Sequence, residues 1–420
     1  NPKILICKLS SAYKLPFFVG GGREVKMYDI LFYNGTILAA DGPIANGYVA
    51  VKDGIIASIG KGNPSGIDAV KSVDLEGNIL SPGFIDIHTH GAGGSDFMDG
   101  TADAIVTAAR MHLRHGTTTI CPTSVTCDDE ELFTFMDCYQ HAKSIRENMP
   151  HLAGIHLEGP YLSPGQAGAQ QSDQMKRPLP EHYMKILEKS RGNIIRWSSA
   201  PEIPGVIEFG DILEKHGIIP SIAHTDADLF TVKRAMEHGY SILTHFYSGM
   251  SQMKRVNGYR IPGVVEAGYL YDDLYVEIIA DGIHLPKELL QLIVKCKPHD
   301  HIILVTDSMR AAGMPDGPSV LGSIKNNFRV IVEDGVAKMP DRQSFAGSVA
   351  TADRLVRVMV FEAGLPLHEA VDMITKNPAK LLRIDHKTGS IAEGKTADLV
   401  VFSEDIEIQQ VYVEGEMVNI

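Results

Sequence analysis

Phe84-Ile85-Asp86-Ile87-His88-Thr89-His90-Gly91 is a short apolar run that ends in two histidines one residue apart and then a glycine. Side chains alternate along a β-strand, so His88 and His90 fall on one side of the chain just where the strand gives way to a loop. Two imidazoles at one rim have a bland reading, as hydrogen-bonded core histidines, and a functional one, as a ligand pair. Repetition tips the balance: the same pattern, an apolar strand followed by one polar residue and a loop, recurs down the chain.

Strand-like runs end at His88, at Thr123 after Thr118-Thr119-Ile120-Cys121-Pro122, at Glu158 after Gly154-Ile155-His156-Leu157, and at Ser199 after Ile194-Ile195-Arg196-Trp197. Four more end at His224, His245, His284 and Asp307, the last after Ile302-Ile303-Leu304-Val305-Thr306. Helical patterns lie between most of them, over 102–115, 130–147, 207–216 and 286–295. Strands alternating with helices in this way predict an α/β fold, a parallel (β/α)8 TIM barrel. An open doubly wound sheet is the alternative, disfavoured because no Gly-x-Gly-x-x-Gly opens a helix after the first strand.

Outside this middle the style changes. Between Met27 and Pro82, short pieces such as Ile30-Leu31-Phe32-Tyr33 and Gly47-Tyr48-Val49-Ala50-Val51 are separated by Asn34-Gly35, Asp53-Gly54 and Glu76-Gly77. Such hairpin punctuation predicts antiparallel β structure. Leu399-Val400-Val401-Phe402 and Gln410-Val411-Tyr412-Val413, with Glu414-Gly415 beyond, repeat it at the other end. The expected organisation is a small β-sandwich domain built from both chain ends, 27–82 and 388–420, with a metal-dependent TIM-barrel catalytic domain over 83–387. Residues 1–26 have a basic bias and a Gly-Gly-Gly run without patterning, and a disordered extension is expected there.

A chain of 420 residues accommodates a barrel, which needs about 250, together with a second domain. The formal net charge of -13 argues against nucleic acid or an anionic membrane as the main partner, since both demand basic surface. No apolar run approaches the roughly 20 residues of a membrane span. Cys7, Cys121, Cys127, Cys138 and Cys296 are odd in number and show no Cys-x-x-Cys spacing, which predicts free thiols in a reducing, cytoplasmic setting.

In a barrel the C-terminal ends of the strands converge on one mouth. The polar residues there are His88, His90, Glu158, His224, His245, His284 and Asp307. Imidazoles with carboxylates are the donor set of a borderline divalent ion such as Zn2+, Fe2+, Mn2+ or Co2+, whereas Mg2+ or Ca2+ calls for oxygens. The set suffices for two ions if one carboxylate bridges. Singly, His224 and His245 could be buried and hydrogen-bonded and Asp307 a helix N-cap; jointly, so many strands ending this way point to a metal site. His112, His115, His141, His216 and His238 lie in or beside helical stretches and read as packing or surface residues. His156 shares a strand face with Glu158 and reads as packed, with support of the site as the alternative.

Pro82 to Gly91 resembles the first-strand signature of the amidohydrolase superfamily, and His156-Leu157-Glu158-Gly159-Pro160-Tyr161 is similar to the third-strand motif of N-acetylglucosamine-6-phosphate deacetylases. Ala223-His224-Thr225-Asp226-Ala227, Thr244-His245-Phe246, Ile279-Ala280-Asp281-Gly282-Ile283-His284 and Val305-Thr306-Asp307 extend the resemblance, which runs from about Met27 to Ile420. A Glu in a Glu-Gly-Pro context stands where that superfamily often bridges metals with a modified lysine. The resemblance implies deacetylation of a small molecule, a 2-acetamido sugar phosphate, with one or two divalent ions per subunit. It implies that Glu158, His224 and His245 bind one ion, that His88 and His90, with Glu158 and Asp307, hold a second, and that Asp307 is the catalytic proton carrier. His284 and Arg260 match positions that bind the sugar and its phosphate, and an Arg fork suits a phosphate dianion. A homodimer is the expected assembly.

The chain also departs from the family pattern. Ser248-Gly249-Met250 stands where many members carry Asn-Ala-Met toward the phosphate, several residues around 251–259 are inserted before Arg260, and Gly168-Ala169-Gln170 stands where one branch has a Gly-Ala-His whose His helps polarise the carbonyl. Ser248, Gly249 and Gln170 are substrate-binding candidates, the Gln amide still being a hydrogen-bond donor. These changes leave deacetylase chemistry intact and open the choice of sugar, with a galactosamine type as the alternative. Other amidohydrolase reactions, such as opening a cyclic amide or deaminating a base, are disfavoured by Arg260 and the Glu158 context. A catalytically dead scaffold protein is expected to have lost ligands or Asp307, and none is missing.

Overall fold

A computed structural model describes residues 27–62, 64–326 and 328–419, so the extension expected over 1–26 lies outside the described residues. The chain begins with β1 (Tyr28–Ala39), β2 (Gly42–Lys52), β3 (Ile55–Lys61), β4 (Ala69–Asp74) and β5 (Ile79–Pro82). β1, β2 and β3 form an antiparallel meander, whereas β4 and β5 both run parallel to β1 on its other edge. The turn expected at Asn34-Gly35 is instead a bulge inside β1. Register shifts on both sides of Gly35, Asn34 takes φ 61°, and a Cβ on Gly35 would stand 2.4 Å from the carbonyl oxygen of Asn78. The bulge bends β1, so that residues 28–33 pair with β4 and Thr36 and Ile37 pair with β5.

The barrel follows as β6 (Phe84–Thr89), α1 (Ala102–Arg114), β7 (Thr117–Ser124), α2 (Asp129–Ala142), β8 (Ile155–Glu158), α3 (Pro180–Ser190), β9 (Ile194–Ser199), α4 (Val206–Lys215), β10 (Ile219–Ile222), α5 (Leu229–Met236) and β11 (Ile242–Leu243). A hairpin of β12 (Lys254–Val256) and β13 (Tyr259–Ile261) precedes α6 (Val264–Leu270), β14 (Tyr275–Ile278), α7 (Lys287–Cys296) and β15 (Ile302–Leu304). β6, β7, β8, β9, β10, β11, β14 and β15 pair in that order, every pair parallel, which is the barrel the sequence predicts. Its last seam, from β15 to β6, is closed by single contacts. The Asp307 N–H donates to His88 O at 2.9 Å and the His90 N–H to Ser308 O at 2.8 Å. Buried Asp86 accepts from the Thr306 hydroxyl at 2.6 Å and from its N–H at 3.3 Å. Alternate strand residues such as Ile120, Leu157, Trp197, Ile222, Leu243 and Leu304 pack outward with the helices, while Ile85, Cys121, Ile219, Ile242 and Ile303 cluster within. α2 stops at Ala142 rather than 147, where the Ser144 N–H and hydroxyl both donate to the His141 carbonyl, at 3.1 and 2.7 Å.

After β15 the chain inserts an antiparallel sheet, β16 (Gly317–Leu321), β17 (Phe328–Glu333), β18 (Val336–Lys338) and β19 (Phe345–Ser348), which the strand-helix alternation did not anticipate. α8 (Ala352–Phe361), α9 (Leu367–Asp372) and α10 (Lys376–Leu381) come next, then β20 (Leu399–Phe402), β21 (Ile408–Val413) and β22 (Glu416–Met417). β20 pairs antiparallel with β5, so both chain ends share one eight-stranded sheet in the order β22-β21-β20-β5-β1-β2-β3, with β4 beside β1. Bent at β1, that sheet encloses a core of its own that includes Phe32, Val49, Leu80, Leu399, Val401 and Tyr412. No helix among the described residues is long and apolar enough to cross a membrane.

Candidate metal centre

β6 delivers His88 and His90, and Glu158 is the last residue of β8. His224, His245 and Asp307 lie just beyond the ends of β10, β11 and β15, and all three take left-handed backbone, with φ 44°, 34° and 44°. That conformation costs a non-glycine residue on the order of 1–3 kcal/mol and gathers where function demands a particular aim. Here it ends each ladder and turns the side chain over the mouth. The His224 Nδ1–H donates to Gln166 O at 2.7 Å, which leaves its Nε2 as a lone pair. Gly249 makes room for that ring, since a Cβ there would stand 2.7 Å from Nδ1.

The side chains meet around Glu158. Its Oε1 lies 2.8 Å from His245 Nε2, 3.3 Å from His224 Nε2 and 3.8 Å from His88 Nε2, and its Oε2 lies 3.4 Å from His90 Nε2. Asp307 Oδ1 stands 3.1 Å from His90 Nε2 and 3.3 Å from His88 Nε2. The Nε2 atoms of His224 and His245 face each other at 3.2 Å. Two buried groups result, His88–His90–Asp307 and Glu158–His224–His245. Donor atoms about 3.3 Å apart are what a tetrahedral ion gathers with bonds of about 2.0–2.1 Å. His88 Nε2 is buried without a hydrogen-bond partner among the described residues, a costly arrangement unless something binds there. These residues could hold one or two divalent ions.

Electrostatics point the same way. Burial pushes the His88 imidazole down, but the Asp307 and Glu158 charges outweigh it and hold it up to about 9. His90 and His224 are likewise raised against burial, by Asp307 and Glu158 and by Glu158 respectively. Burial pushes Glu158 up, yet the His88 charge and the hydrogen bonds of His224 and His245 hold it well below the usual carboxylate range. Asp307 is brought down to about 2 against its burial by the His88 charge and the His90 hydrogen bond. The carboxylates thus demand positive charge beside them, and a cation that supplies it displaces the imidazole protons.

Several supporting groups escaped the sequence reading. Glu277, inside β14, faces His88 Nδ1 at 3.2 Å, and Arg196, inside β9, pairs with Glu277. His112, expected to be packing, props the loop after β6 through Thr89 Oγ1 at 3.0 Å and Gly91 O at 3.3 Å. His156 sets its ring edge-on to His88 with centroids 4.7 Å apart and bonds Ser198 Oγ at 2.7 Å, so it packs beneath the ligands.

A cavity of about 230 Å³ opens above the cluster, lined by His90, Glu158, Gln170, His224, His245, Ser248, Gly249, His284 and Asp307, with Val125, Leu321 and Phe345 as apolar walls. Gln170 donates to Glu158 Oε2 at 2.7 Å and accepts from the Thr126 N–H at 2.7 Å. His284 is not at a strand end as expected; β14 stops at Ile278, and the Asp281 carboxylate folds the loop by accepting from the N–H groups of Ile283 and His284 at 2.9 and 2.8 Å. Asp281 also holds His284 Nδ1 at 2.8 Å, and Phe345 of the inserted sheet packs on the imidazole at 4.8 Å. Arg260 is not brought into this group: it stands exposed on β13, outside the residues that line the cavity. A larger cavity of about 470 Å³ lies between 143–152 and the C-terminal strands, and neither ligand group is there.

Residues 79–418 match the Amidohydrolase family. The chain is 33% identical over 339 residues to an N-acetylglucosamine-6-phosphate deacetylase of Vibrio furnissii, covering 81% of this chain and 82% of that one. It is 28% identical over 385 residues to an N-acetylgalactosamine-6-phosphate deacetylase of Escherichia coli O157:H7, covering 91% and 97%. Among solved structures, an N-acetyl-D-glucosamine-6-phosphate deacetylase variant of Mycobacterium smegmatis, in complex with N-acetyl-D-glucosamine-6-phosphate, superposes with a TM-score of 0.85 at 29% identity over 93% of this chain and 100% of that one.

Proposed function

This chain belongs to the amidohydrolase family, and from that premise we infer that it removes the acetyl group from N-acetylglucosamine 6-phosphate, giving glucosamine 6-phosphate and acetate. The observation that carries this reading is one buried carboxylate, Glu158, set among four imidazoles with Asp307 beside two of them. We assign Glu158, His224 and His245 as the residues that would hold one ion, and His88, His90 and Asp307, with Glu158 beside them, as those that would hold a second. The donor set favours Zn2+, Fe2+, Mn2+ or Co2+. A divalent ion there supplies Lewis acidity to the acetamide carbonyl and to the attacking water.

The chain's own groups do the rest. Asp307, ionised at neutral pH and beside both histidines of β6, takes the proton of the attacking water and passes it to the amine, which must leave protonated. Gln170 spends one amide N–H on Glu158 and keeps the other for the substrate carbonyl. His284, oriented by Asp281, presents its other nitrogen to the sugar, and Ser248 and Gly249 line the same cavity. Arg260 takes the phosphate. It sits on the β12–β13 hairpin with Lys254 and Arg255, all three exposed, and none has an acidic partner within 4 Å among the described residues, so their charge is available to an anion. The exposed Val256 and Tyr259 of the same hairpin, with Met253 just before it, support a homodimer, and the odd set of cysteines supports a reducing, cytoplasmic setting.

The test is acetate release from the 6-phosphates of N-acetylglucosamine, N-acetylgalactosamine and N-acetylmannosamine by enzyme of measured metal content. The glucosamine substrate is expected to have the highest kcat/KM. Preference for the galactosamine epimer would move the assignment to that sugar, and no acetate from any of them by metal-loaded protein would end it.

A further inference from the structure

Directly beneath the imidazoles the barrel interior is charged, where such a core is usually filled by branched apolar side chains. β9 sends Arg196 inward and β14 sends Glu277, both fully buried, and they pair through Arg196 Nη1 and Glu277 Oε1. The other carboxylate oxygen faces His88 Nδ1 at 3.2 Å and accepts the His245 backbone N–H at 3.1 Å. Arg196 also donates to Thr244 Oγ1 at 2.7 Å, to Ser221 Oγ at 3.0 Å and to Ile87 O at 3.5 Å. One carboxylate therefore touches a residue of each metal group, and its counter-ion touches the residues that precede His88 and His245. A buried ion pair is a poor source of stability, since apolar residues of the same volume often serve as well. What apolar residues cannot do is choose which nitrogen of a histidine carries the proton.

We propose that Glu277 is a positioning residue for metal binding and that Arg196 sets its polarity. Arg196 engages one carboxylate oxygen, the other is left as an obligate acceptor, and His88 is held with its proton on Nδ1 and a lone pair on Nε2, aimed at His90 and Asp307. The assignment rests on the metal reading above and adds the groups that prepare His88 for it.

Glu277→Gln is the informative variant. Arg196 has only donors, so it claims the amide oxygen and turns the amide NH2 toward His88 and toward the His245 N–H, which loses its acceptor as well. His88 Nδ1 must then accept, its proton moves to Nε2, and the ligand is lost. The expected result is a 10- to 100-fold weaker affinity for the ion held by His88, read by competition with a chromophoric chelator and by metal analysis. Two double variants, both without a buried charge, separate proton placement from mere packing and cover the case in which the single variant fails to fold. In Arg196→Gln/Glu277→Gln the amide is free to offer its oxygen to His88, and binding recovers. In Arg196→Met/Glu277→Leu no acceptor remains, and binding stays weak although thermal unfolding reports a folded protein. A folded Glu277→Gln protein with wild-type affinity, or two double variants that bind alike, would overturn the proposal. Wild-type protein that takes up no ion at all would instead overturn the metal reading from which it starts.

Discussion

Asp307 stands where three demands meet: it closes the barrel seam through its N–H to His88 O, it touches both histidines of β6, and its backbone is left-handed. Asp307→Asn keeps the size and the seam but removes the proposed base. Metal is expected to bind still, while the single-turnover deacetylation rate falls by about 10² to 10⁴; a near wild-type rate at verified metal content would hand the proton to another group. In the wild type, kcat/KM is expected to fall on acidification through an apparent pKa that belongs to the coupled cluster and not to Asp307 alone. Most of these rim residues were legible because each ends an apolar run. Gln170 was legible as a donor, but its attachment to Glu158 depends on Thr126, forty-four residues away, orienting the amide. Arg196 and Glu277 left a signal that went unused. A charge flanked by Ile195 and Trp197, or by Val276 and Ile278, sits in a strand buried on both faces and must find a partner there.

Elements carry the next set of consequences. If the β12–β13 hairpin supplies a phosphate contact that is desolvated once the substrate is bound, Arg260→Ala weakens binding of the phosphorylated sugar by about 2–4 kcal/mol and leaves an unphosphorylated acetamido sugar nearly unchanged. Equal loss on both substrates would make Arg260 structural. The first and eighth helices are joined by Asp353, which meets His115 Nδ1 at 3.1 Å and Arg357 Nη1 at 2.8 Å with its side chain 8% exposed. Burial pushes this carboxyl up, but His115 and Arg357 bring it down from 3.8 to about 2. Its folded value lies below its unfolded one, so the stability it contributes, about 2 kcal/mol, is present above about pH 4 and lost as pH falls through 2. Asp353→Asn is expected to lower Tm at pH 7, and the gap to wild type should close toward pH 2 in parallel melts; a constant gap would mean a packing defect. The inserted sheet was legible in part, because Asp334-Gly335 between Glu333 and Val336 is a hairpin signal. The strand-end pattern stops at Asp307 and does not resume before Leu399, so the alternation says nothing of this sheet or of the helices after it. The Asn34-Gly35 bulge was not separable from a turn, since what distinguishes them is the approach of Asn78 across the sheet.

At the scale of the whole molecule, the sheet made by both chain ends ties the two halves of the sequence together. Phe32 of β1 and Tyr412 of β21 meet edge to face at 4.8 Å in its core, and Tyr412 is fully buried. Tyr412→Ala is expected to cost about 3–5 kcal/mol, seen as an earlier urea transition for this sheet; an unchanged transition would mean that the two ends do not support each other. The pairing of the ends was legible from their shared strand style, and the eightfold barrel from its repeated strand ends, because both are patterns of period and punctuation. The sheet order has a consequence for synthesis. β5 sits in the middle of the sheet, yet its neighbour β20 is encoded more than 300 residues later. At about 5–20 residues per second, a ribosome takes roughly 15–60 s to cover that distance. For that interval the nascent β5 presents an open strand edge, so this protein is expected to depend on chaperone cover during translation more than on any step after release.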